Sequence, residues 1–289
     1  MKQKSVKENG FISFMRKFSK HRVAFAATII LLLEILAVIF LPMIMELDPI
    51  TGDFLNMGKA PSKEYILGTD ATGRDVFARL VYGGRVSLLV GIGATVISII
   101  VGVPLGVIAG YYQGAVGEVI MRIVDMFLSF PSMVITLVLI AVMGPSTMTV
   151  ILVTGFLSWM QHCKLIYGNV VSVRHKEYVE SAIAIGTSDF KILTKYVIPN
   201  SISPLWVSIA FTVSSSIVFE SSLSFLGAGV QPPESSWGNI IYAAQNLSIL
   251  TNKPWIWLPA CIVLLITVIC INLAGEGIRD ALDPKMKRK

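Results

Sequence analysis

The sequence is poor in charged residues. Asp, Glu, Lys and Arg make up 15% of its 289 residues, whereas 54% are hydrophobic and the mean hydropathy is +0.72. A soluble domain carries about a quarter charged residues. The deficit argues against a soluble domain and predicts an integral membrane protein. In such a chain the net charge of +6 does not indicate nucleic-acid binding, because the placement of the positive residues sets membrane orientation.

Cysteine and histidine are also scarce. The chain holds three of each: Cys163, Cys261, Cys270, His21, His162 and His175. Their spacing matches neither a zinc motif nor a disulfide framework. We therefore interpret all six as structural and expect no metal site.

The motifs of nucleotide binding and catalysis are missing. The Gly-Lys pair Gly58-Lys59 is followed by alanine, so no GxxxxGK[ST] phosphate loop is present. Neither HExxH nor GxSxG occurs, and no two carboxylates have a convincing acid–base arrangement. We expect a chain that is not an enzyme and that binds neither ATP nor another cofactor itself.

Six apolar stretches are long enough, or nearly so, to cross a bilayer as helices, which takes about 20 residues each. They cover residues 23–45, 87–112, 119–143, 145–168, 204–227 and 255–276, with uncertain boundaries. The first stretch follows a basic N-terminus but has no clear small-x-small cleavage site. We interpret it as an uncleaved span rather than a signal peptide.

Lysine and arginine are unevenly distributed between the segments that join these spans. With the N-terminus in the cytoplasm, 18 of the 24 Lys and Arg residues fall on the cytoplasmic side. This bias predicts two cytoplasmic termini, an even number of spans and a cytoplasmic polar segment at 174–200. Outside, we expect a loop over 46–64, a short amphipathic helix over 65–85, and a segment at 228–254 that folds back on the outer face.

Small and charged residues mark positions within the spans. Gly102, Gly106 and Gly110 recur every four residues, a spacing that lets helices approach closely in lipid. Arg122 and Asp125 lie three residues apart and can pair on one helix face.

Acidic residues are costly inside a bilayer, and four lie in or near the spans: Glu34, Asp125, Glu220 and Glu276. For Glu220, in the outer half of the fifth span, two interpretations stay open. It either lines a solute path or is a buried, hydrogen-bonded structural carboxylate. The four are scattered, whereas a proton relay needs a chain of such residues on facing helices.

The longest internal polar gap, 177–200, reads EYVESAIAIGTSDFKILTKYVIPN. It predicts two short helices separated by Gly186, with Ser188 capping the second. Pro199 disfavours helical geometry at Ile198. Such a segment is either a compact knob that fits a partner's groove or a solvated loop that joins two spans. On the first helix, Tyr178, Ala182 and Ile185 would share one face and Glu177, Glu180 and Ala184 another.

This segment resembles the EAA motif of permease subunits of ATP-binding-cassette (ABC) importers. The matching residues are Glu180, Ser181, Ala182, Gly186, Tyr196, Ile198 and Pro199, with Ser181 in place of the first alanine, Tyr196 of isoleucine and Ile198 of leucine. Four more stretches, LGTDATGRDVFARLVYGGRVSL, RIVDMFLSFPSMV, ESSLSFLGAGVQPPESSWGNII and NLAGEGIRDALDPK, are similar to the second permease subunit of dipeptide, oligopeptide and nickel importers. The resemblance covers nearly the whole chain.

The resemblance implies an all-α membrane protein with six transmembrane helices, the permease fold of type I ABC importers, and both termini in the cytoplasm of a bacterial cell. It divides the chain into an N-terminal region (1–64), an external amphipathic segment (65–85), a permease core (86–276) with the EAA loop at 174–200, and a basic C-tail (277–289). The residues implied to couple the chain to an ATPase are Glu180, Ser181, Ala182, Gly186, Asp189 and Pro199. Glu220 is the tentative path residue.

The same resemblance implies partners: a sister permease subunit, two ATPase subunits that hold ATP and Mg²⁺, and an extracytoplasmic solute-binding protein. Membrane lipid surrounds the chain, and no nucleic acid is expected. The solute would be a di- or oligopeptide, or nickel or a metal chelate. Two other classes are an ion-coupled secondary transporter, which needs midplane ionisable groups and often internal repeats, and a membrane-bound enzyme or assembly factor, which needs a catalytic cluster. Neither feature is evident.

Overall fold

The computed structural model describes residues 10–282, and this part of the chain is built from helices with no β-strand. The helices are α1 (Gly10–Lys20), α2 (Arg22–Ile44), α3 (Val76–Tyr112), α4 (Gly114–Leu128), α5 (Ser132–Met143), α6 (Thr147–Arg174), α7 (Glu177–Ala184), α8 (Asp189–Ile192), α9 (Ile198–Ser201), α10 (Leu205–Phe225), α11 (Trp237–Tyr242), α12 (Leu247–Asn252) and α13 (Leu258–Leu282). A π-helical turn, Leu193–Val197, joins α8 to α9. Of the predicted basic C-tail (277–289), residues 277–282 belong to α13, and the part beyond Leu282 lies outside the described residues.

Five helices are long and apolar enough to cross a membrane, namely α2, α3, α6, α10 and α13. The predicted span over 119–143 is not one continuous helix, because this stretch is divided between α4 and α5, which meet at 84°. Pro131 occupies the N-cap of α5; it has no N–H to donate and disfavours helical geometry at Phe130. The described residues thus provide five spans, or six if the bent pair counts as one.

Helix α3 is much longer than predicted. Residues 65–85 do not form a separate amphipathic helix: the chain turns until Asp75, and from Val76 one helix of 37 residues continues through the predicted second span. The side chain of Asp75 caps it by accepting a hydrogen bond from the backbone N–H of Phe77 (2.8 Å). At about 55 Å, α3 exceeds the thickness of a bilayer core and reaches both ends of the molecule.

The most extensive helix–helix contact among the described residues is between α3 and α6, and it includes the predicted glycine positions. Gly102 faces Trp159 and His162, and Gly110 faces Val170. A Cβ on Gly106 would lie 2.5 Å from the carbonyl oxygen of Cys163 on α6, nearer than a real Cβ comes. The prediction that these glycines allow close helix packing is confirmed.

The acidic residues of the spans have partners other than those the sequence suggested. Arg122 and Asp125 do not pair with each other: Arg122 lies 3.8 Å from Glu118 one turn earlier, and Asp125 bonds Lys164 of α6 at 2.8 Å. A further acid, Glu34 of α2, accepts a hydrogen bond from the Thr267 hydroxyl of α13 (2.5 Å).

Two segments at the beginning of α3, residues 46–75 and 228–257, pack together, and we call them the cap. Trp237 of α11 is fully buried; its indole N–H donates to the Leu80 carbonyl (3.1 Å) and its backbone N–H donates to Ser87 Oγ (3.2 Å). The segment 228–254 therefore folds back onto the beginning of α3, and its place on the outer face stays a prediction.

A buried ion pair joins the two halves of the cap. Asp70 accepts from the guanidinium groups of Arg79 and Arg74, and Arg79 also donates to Ser235 Oγ (3.2 Å) and Asn239 Oδ1 (3.2 Å). Burial alone would raise the pKa of the Asp70 carboxyl, but the Arg79 charge and the hydrogen bonds from Arg74 and Thr72 hold this pKa below its ordinary value. The pair depends on an ionised Asp70.

Replacing Gly106 by alanine should destabilise the protein by about 1–3 kcal/mol, because the new methyl group forces α3 away from α6. Gly168→Ala is the matched control, since Gly168 lies on the same helix pair with open space around it. Thermal unfolding in detergent, followed by tryptophan fluorescence, measures both. Equal midpoints for the two variants would contradict the close packing described above.

Asp70→Asn should cost about 3 kcal/mol or more at neutral pH, because it leaves the buried Arg79 without its counter-ion. A carboxyl whose pKa is lower in the folded state stabilises the fold above its ordinary pKa, and that contribution is lost as the pH falls through the lower folded value. The difference in midpoint between wild type and variant should therefore shrink below pH 3.8, the ordinary pKa. The exposed Glu64→Gln is the control, and a pH-independent difference would argue against an ionised Asp70.

Candidate functional site

The polar segment between α6 and α10 folds as a helical hairpin, residues 177–201, which we call the hairpin. Helix α7 ends after Ala184 and α8 begins at Asp189, so the predicted break at Gly186 is confirmed. Gly186 has φ +76° and open space around it, so the left-handed turn rather than crowding requires glycine there. Ser188 occupies the N-cap position, but its side chain makes no capping hydrogen bond.

The three residues predicted to share one face of the first helix, Tyr178, Ala182 and Ile185, differ in burial. Val179 and Ala182 are buried, whereas Tyr178 is exposed and Ile185 is 81% exposed. Val179 joins Ile166 and other apolar side chains of the spans in one cluster. Helix α7 has only eight residues, and Ile185 lies past its end, so Ile185 does not continue the face of Ala182.

Pro199 does not end the helical path. Ile198 has φ −56° and ψ −52°, which is helical, and the chain stays helical from Asp189 to Ser201. The π-helical turn just before Pro199 changes the hydrogen-bond pattern, so the proline lies in the first turn of α9, where its missing N–H is not needed. The break that precedes α10 comes later, at residues 202–204.

The structure divides the predicted coupling residues between two sides of the hairpin. Glu180, Ser181, Gly186 and Pro199 are exposed, and Ala182 points into the bundle. The Glu180 carboxylate lies 3.7 Å from His175 Nδ1, yet its side chain remains 61% exposed. Asp189 accepts a hydrogen bond from the hydroxyl of Tyr111 on α3 (2.7 Å). One side of the hairpin is thus attached to the spans and the other is free to meet a partner.

A polar groove of about 160 Å³ lies among the spanning helices, on α5, α6 and α10. Its lining residues are Ser132, Thr136, Thr154, Leu157, Ser158, Gln161, Thr212, Ser215, Ser216 and Phe219. The Thr154 hydroxyl is buried without a hydrogen-bond partner. The groove was not predicted from the sequence, although polar residues at 154, 158 and 161 recur at helical spacing within an apolar run.

Glu220 does not line this groove. It is fully buried, and its carboxylate accepts hydrogen bonds from Ser224 (2.7 Å), Ser87 on α3 (3.1 Å) and Ser221 (3.4 Å). Ser224 in turn accepts from the backbone N–H of Val230 in the cap (3.1 Å). Glu220 therefore ties α3, α10 and the cap together, and its role in a solute path stays a prediction.

Within residues 10–282, no group of three or more His, Cys, Asp or Glu side chains is arranged to hold a metal ion. In this part of the chain, the groove can form hydrogen bonds with a solute, and the exposed side of the hairpin can contact another protein.

Two family models match the sequence. Residues 102–288 match the binding-protein-dependent transport system inner membrane component, and residues 11–61 match the N-terminal transmembrane domain of oligopeptide transport permease C. The first match contains the whole hairpin and groove. The second covers α2 and most of the loop that follows it.

Curated relatives align along nearly the whole chain. The oligopeptide transport system permease protein OppC of Bacillus subtilis is 35% identical over 95% of this chain and 89% of its own length. The glutathione transport system permease protein GsiD of Pectobacterium atrosepticum is 34% identical, covering 95% and 91%. The di/tripeptide transport system permease protein DppC of Pseudomonas aeruginosa is 32% identical, covering 95% and 92%.

Solved structures share the fold. A chain of the inward-facing MetNI methionine ABC transporter superposes with a TM-score of 0.59, at 18% identity, over 71% of this chain and 97% of that one. The alignment supports the type I importer permease fold. The chain belongs to the family of binding-protein-dependent transport system inner membrane components: it is a multi-pass inner-membrane permease subunit of an ABC importer, which works with ATPase and substrate-binding partners.

Proposed function

We propose that this subunit forms one half of a peptide translocation path and receives the movement of an ATPase through the hairpin. The proposal rests on one observation: one side of the hairpin, residues 177–201, packs against the spanning helices and the other side is exposed. Val179 and Ala182 anchor the hairpin in the apolar core of the spans, while Glu180, Ser181 and Gly186 face outward. A short rigid helix pair held in this way can transmit a push, whereas a solvated loop cannot.

The exposed side of the hairpin also has the composition of a contact surface. Phe190 is 77% exposed and Ile185 81% exposed, and the Glu180 side chain is 61% exposed. Large apolar side chains clustered at a water-facing end mark a surface that a partner covers. The partner that fits is an ATPase, with ATP and Mg²⁺ bound on that partner and hydrolysed there; this subunit is non-catalytic.

The charge distribution supports the orientation. Placing the hairpin in the cytoplasm puts 18 of the 24 Lys and Arg residues on the same side as both termini. The cap then faces outward, where it would meet a solute-binding protein. The complete importer would contain this chain, a sister permease subunit and two ATPase subunits.

The groove on α5, α6 and α10 is the part of this chain that we assign to the path. Its hydroxyl and amide groups can donate and accept hydrogen bonds, as the backbone of a peptide requires. Relatives named for oligopeptide, di/tripeptide and glutathione transport agree with a peptide solute. An ion-coupled secondary transporter is not favoured, because the family and these relatives are subunits of ABC importers.

The coupling role can be tested with Glu180→Gln and Gly186→Ala. Alanine at Gly186 must adopt a left-handed conformation at a cost of about 1–2 kcal/mol, which distorts the turn between α7 and α8. We expect both variants to insert normally, to retain less ATPase subunit in pull-down assays, and to lose about tenfold or more of ATP-driven uptake.

Glu177→Gln is the matched control, because Glu177 is an exposed acid on the same helix. It should behave as wild type. Wild-type uptake and ATPase binding in both the Glu180 and Gly186 variants would refute the coupling role.

Gln161→Leu tests the path. Removing one hydrogen-bonding group from the groove should raise the KM for tripeptide uptake about fivefold, with ATPase association unchanged. Asn169→Leu is the control, since Asn169 lies on the same helix outside the groove and bonds the Leu165 carbonyl.

Glu220→Gln separates the two roles left open for that residue. Because its hydrogen bonds go to serines of this chain, we expect lower thermal stability with unchanged solute preference. An altered preference at unchanged stability would place Glu220 in the path. For the groove, an unaltered KM in the Gln161→Leu variant would show that the groove is not part of the translocation path.

A further inference from the structure

Tyr111 connects the hairpin to the long helix α3. It is the penultimate residue of that helix and only 3% exposed, and its hydroxyl donates a 2.7 Å hydrogen bond to the carboxylate of Asp189, the first residue of α8. Among the described residues, the Tyr111–Asp189 bond is the side-chain hydrogen bond that we find between the hairpin and a spanning helix. A buried donor paired with a carboxylate makes a short, directional and comparatively strong contact.

The same tyrosine also contacts α6. The guanidinium carbon of Arg174, the last residue of α6, lies 5.4 Å from the centre of the Tyr111 ring. A cation over an aromatic ring is attracted by the negative face of the ring. Arg174 Nε is buried and has no hydrogen-bond partner among the described residues, so the guanidinium group interacts with the Tyr111 ring instead. Asp189, Tyr111 and Arg174 thus link α8, α3 and α6.

Apart from the exposed Glu180–His175 pair at the end of α6 (3.7 Å), the remaining side-chain contact between the hairpin and the spans is apolar. Val179, Ala182 and Ile192 pack with Ile166 and Val170 in the cluster that also holds Tyr111. Apolar packing holds surfaces together without fixing one orientation, because the hydrophobic effect is non-directional. The hydroxyl–carboxylate bond therefore sets the angle at which the hairpin meets α3 and α6.

We propose that Tyr111 is a positioning residue for transport: its bond to Asp189 and its stacking under Arg174 make the hairpin, α3 and α6 move as one body. This inference rests on the proposed coupling role of the hairpin. The new point is that α3 and α6 are the spanning helices that receive the movement of the hairpin. Because α3 and α6 approach each other through glycines, a push on Tyr111 displaces both helices together. One of these, α6, lines the groove.

The test uses the reconstituted importer with its ATPase subunits and needs no knowledge of the solute. In a background whose three native cysteines are replaced by alanine, spin labels are placed at Lys195→Cys on the hairpin and Leu89→Cys on α3. Both side chains are exposed. Electron–electron double resonance then measures the distance between the labels without nucleotide and with ATP and vanadate.

With Tyr111 present, we expect one narrow distance distribution that is the same in both states. In Tyr111→Phe the distribution should widen about twofold or shift with nucleotide, because the directional bond is lost while the ring and its stacking remain. Asp189→Asn, which can still accept a hydrogen bond, should give a smaller change. The double variant should resemble Tyr111→Phe alone, since Asp189→Asn weakens a bond that Tyr111→Phe already removes.

Tyr112→Phe is the matched control, being the next residue of α3 and 52% exposed. The proposal is overturned if Tyr111→Phe and Tyr112→Phe give the same distributions, or if the hairpin and α3 already separate with nucleotide when Tyr111 is present. ATPase binding is measured in the same samples. Full binding by Tyr111→Phe with a changed distribution supports the link, whereas wild-type binding and uptake by the Glu180 and Gly186 variants would refute the coupling role on which it rests.

Discussion

The fold depends on the close approach of α3 and α6. In a bilayer, lipid tails are as apolar as leucine, so helices gain little by burying apolar side chains against each other and associate through packing and hydrogen bonds instead. Gly102, Gly106 and Gly110 remove the side chains that would keep the two backbones apart. The resulting pair runs from the cap to the hairpin and gives both ends a common rigid support.

The two ends use this support differently. At the cap, Asp70 and Arg79 form a buried, hydrogen-bonded ion pair, and Trp237 fills the space beside α3, so the loops there are held on several sides. The hairpin is held on one side by an apolar cluster and by the bond from Tyr111 to Asp189. Its opposite side leaves Ile185 and Phe190 in water, which suits a surface that another subunit covers.

The sequence predicted the features that depend on local pattern. Long apolar runs gave the spans, four-residue glycine spacing gave the α3–α6 packing, and a glycine between two short helical runs gave the turn at Gly186. It did not predict the bend at Pro131, because the residues around it are as apolar as those of a straight span. It also did not show which face of α7 is buried, since an eight-residue helix has too few turns for periodicity to single out one face.

The polar groove shows why site residues in membrane helices are hard to find from sequence. Hydroxyl side chains in a helix can bond to their own backbone, as Ser158 does to the Thr154 carbonyl (2.7 Å) and Thr212 to the Ser208 carbonyl (2.8 Å). A serine or threonine in an apolar run therefore carries little cost and little information by itself. Only the fold shows that residues on α5, α6 and α10 converge, whereas Glu220, the most conspicuous polar residue in the sequence, is enclosed by serines that satisfy it. In such helices, convergence of weakly polar groups identifies a candidate path better than a single charge does.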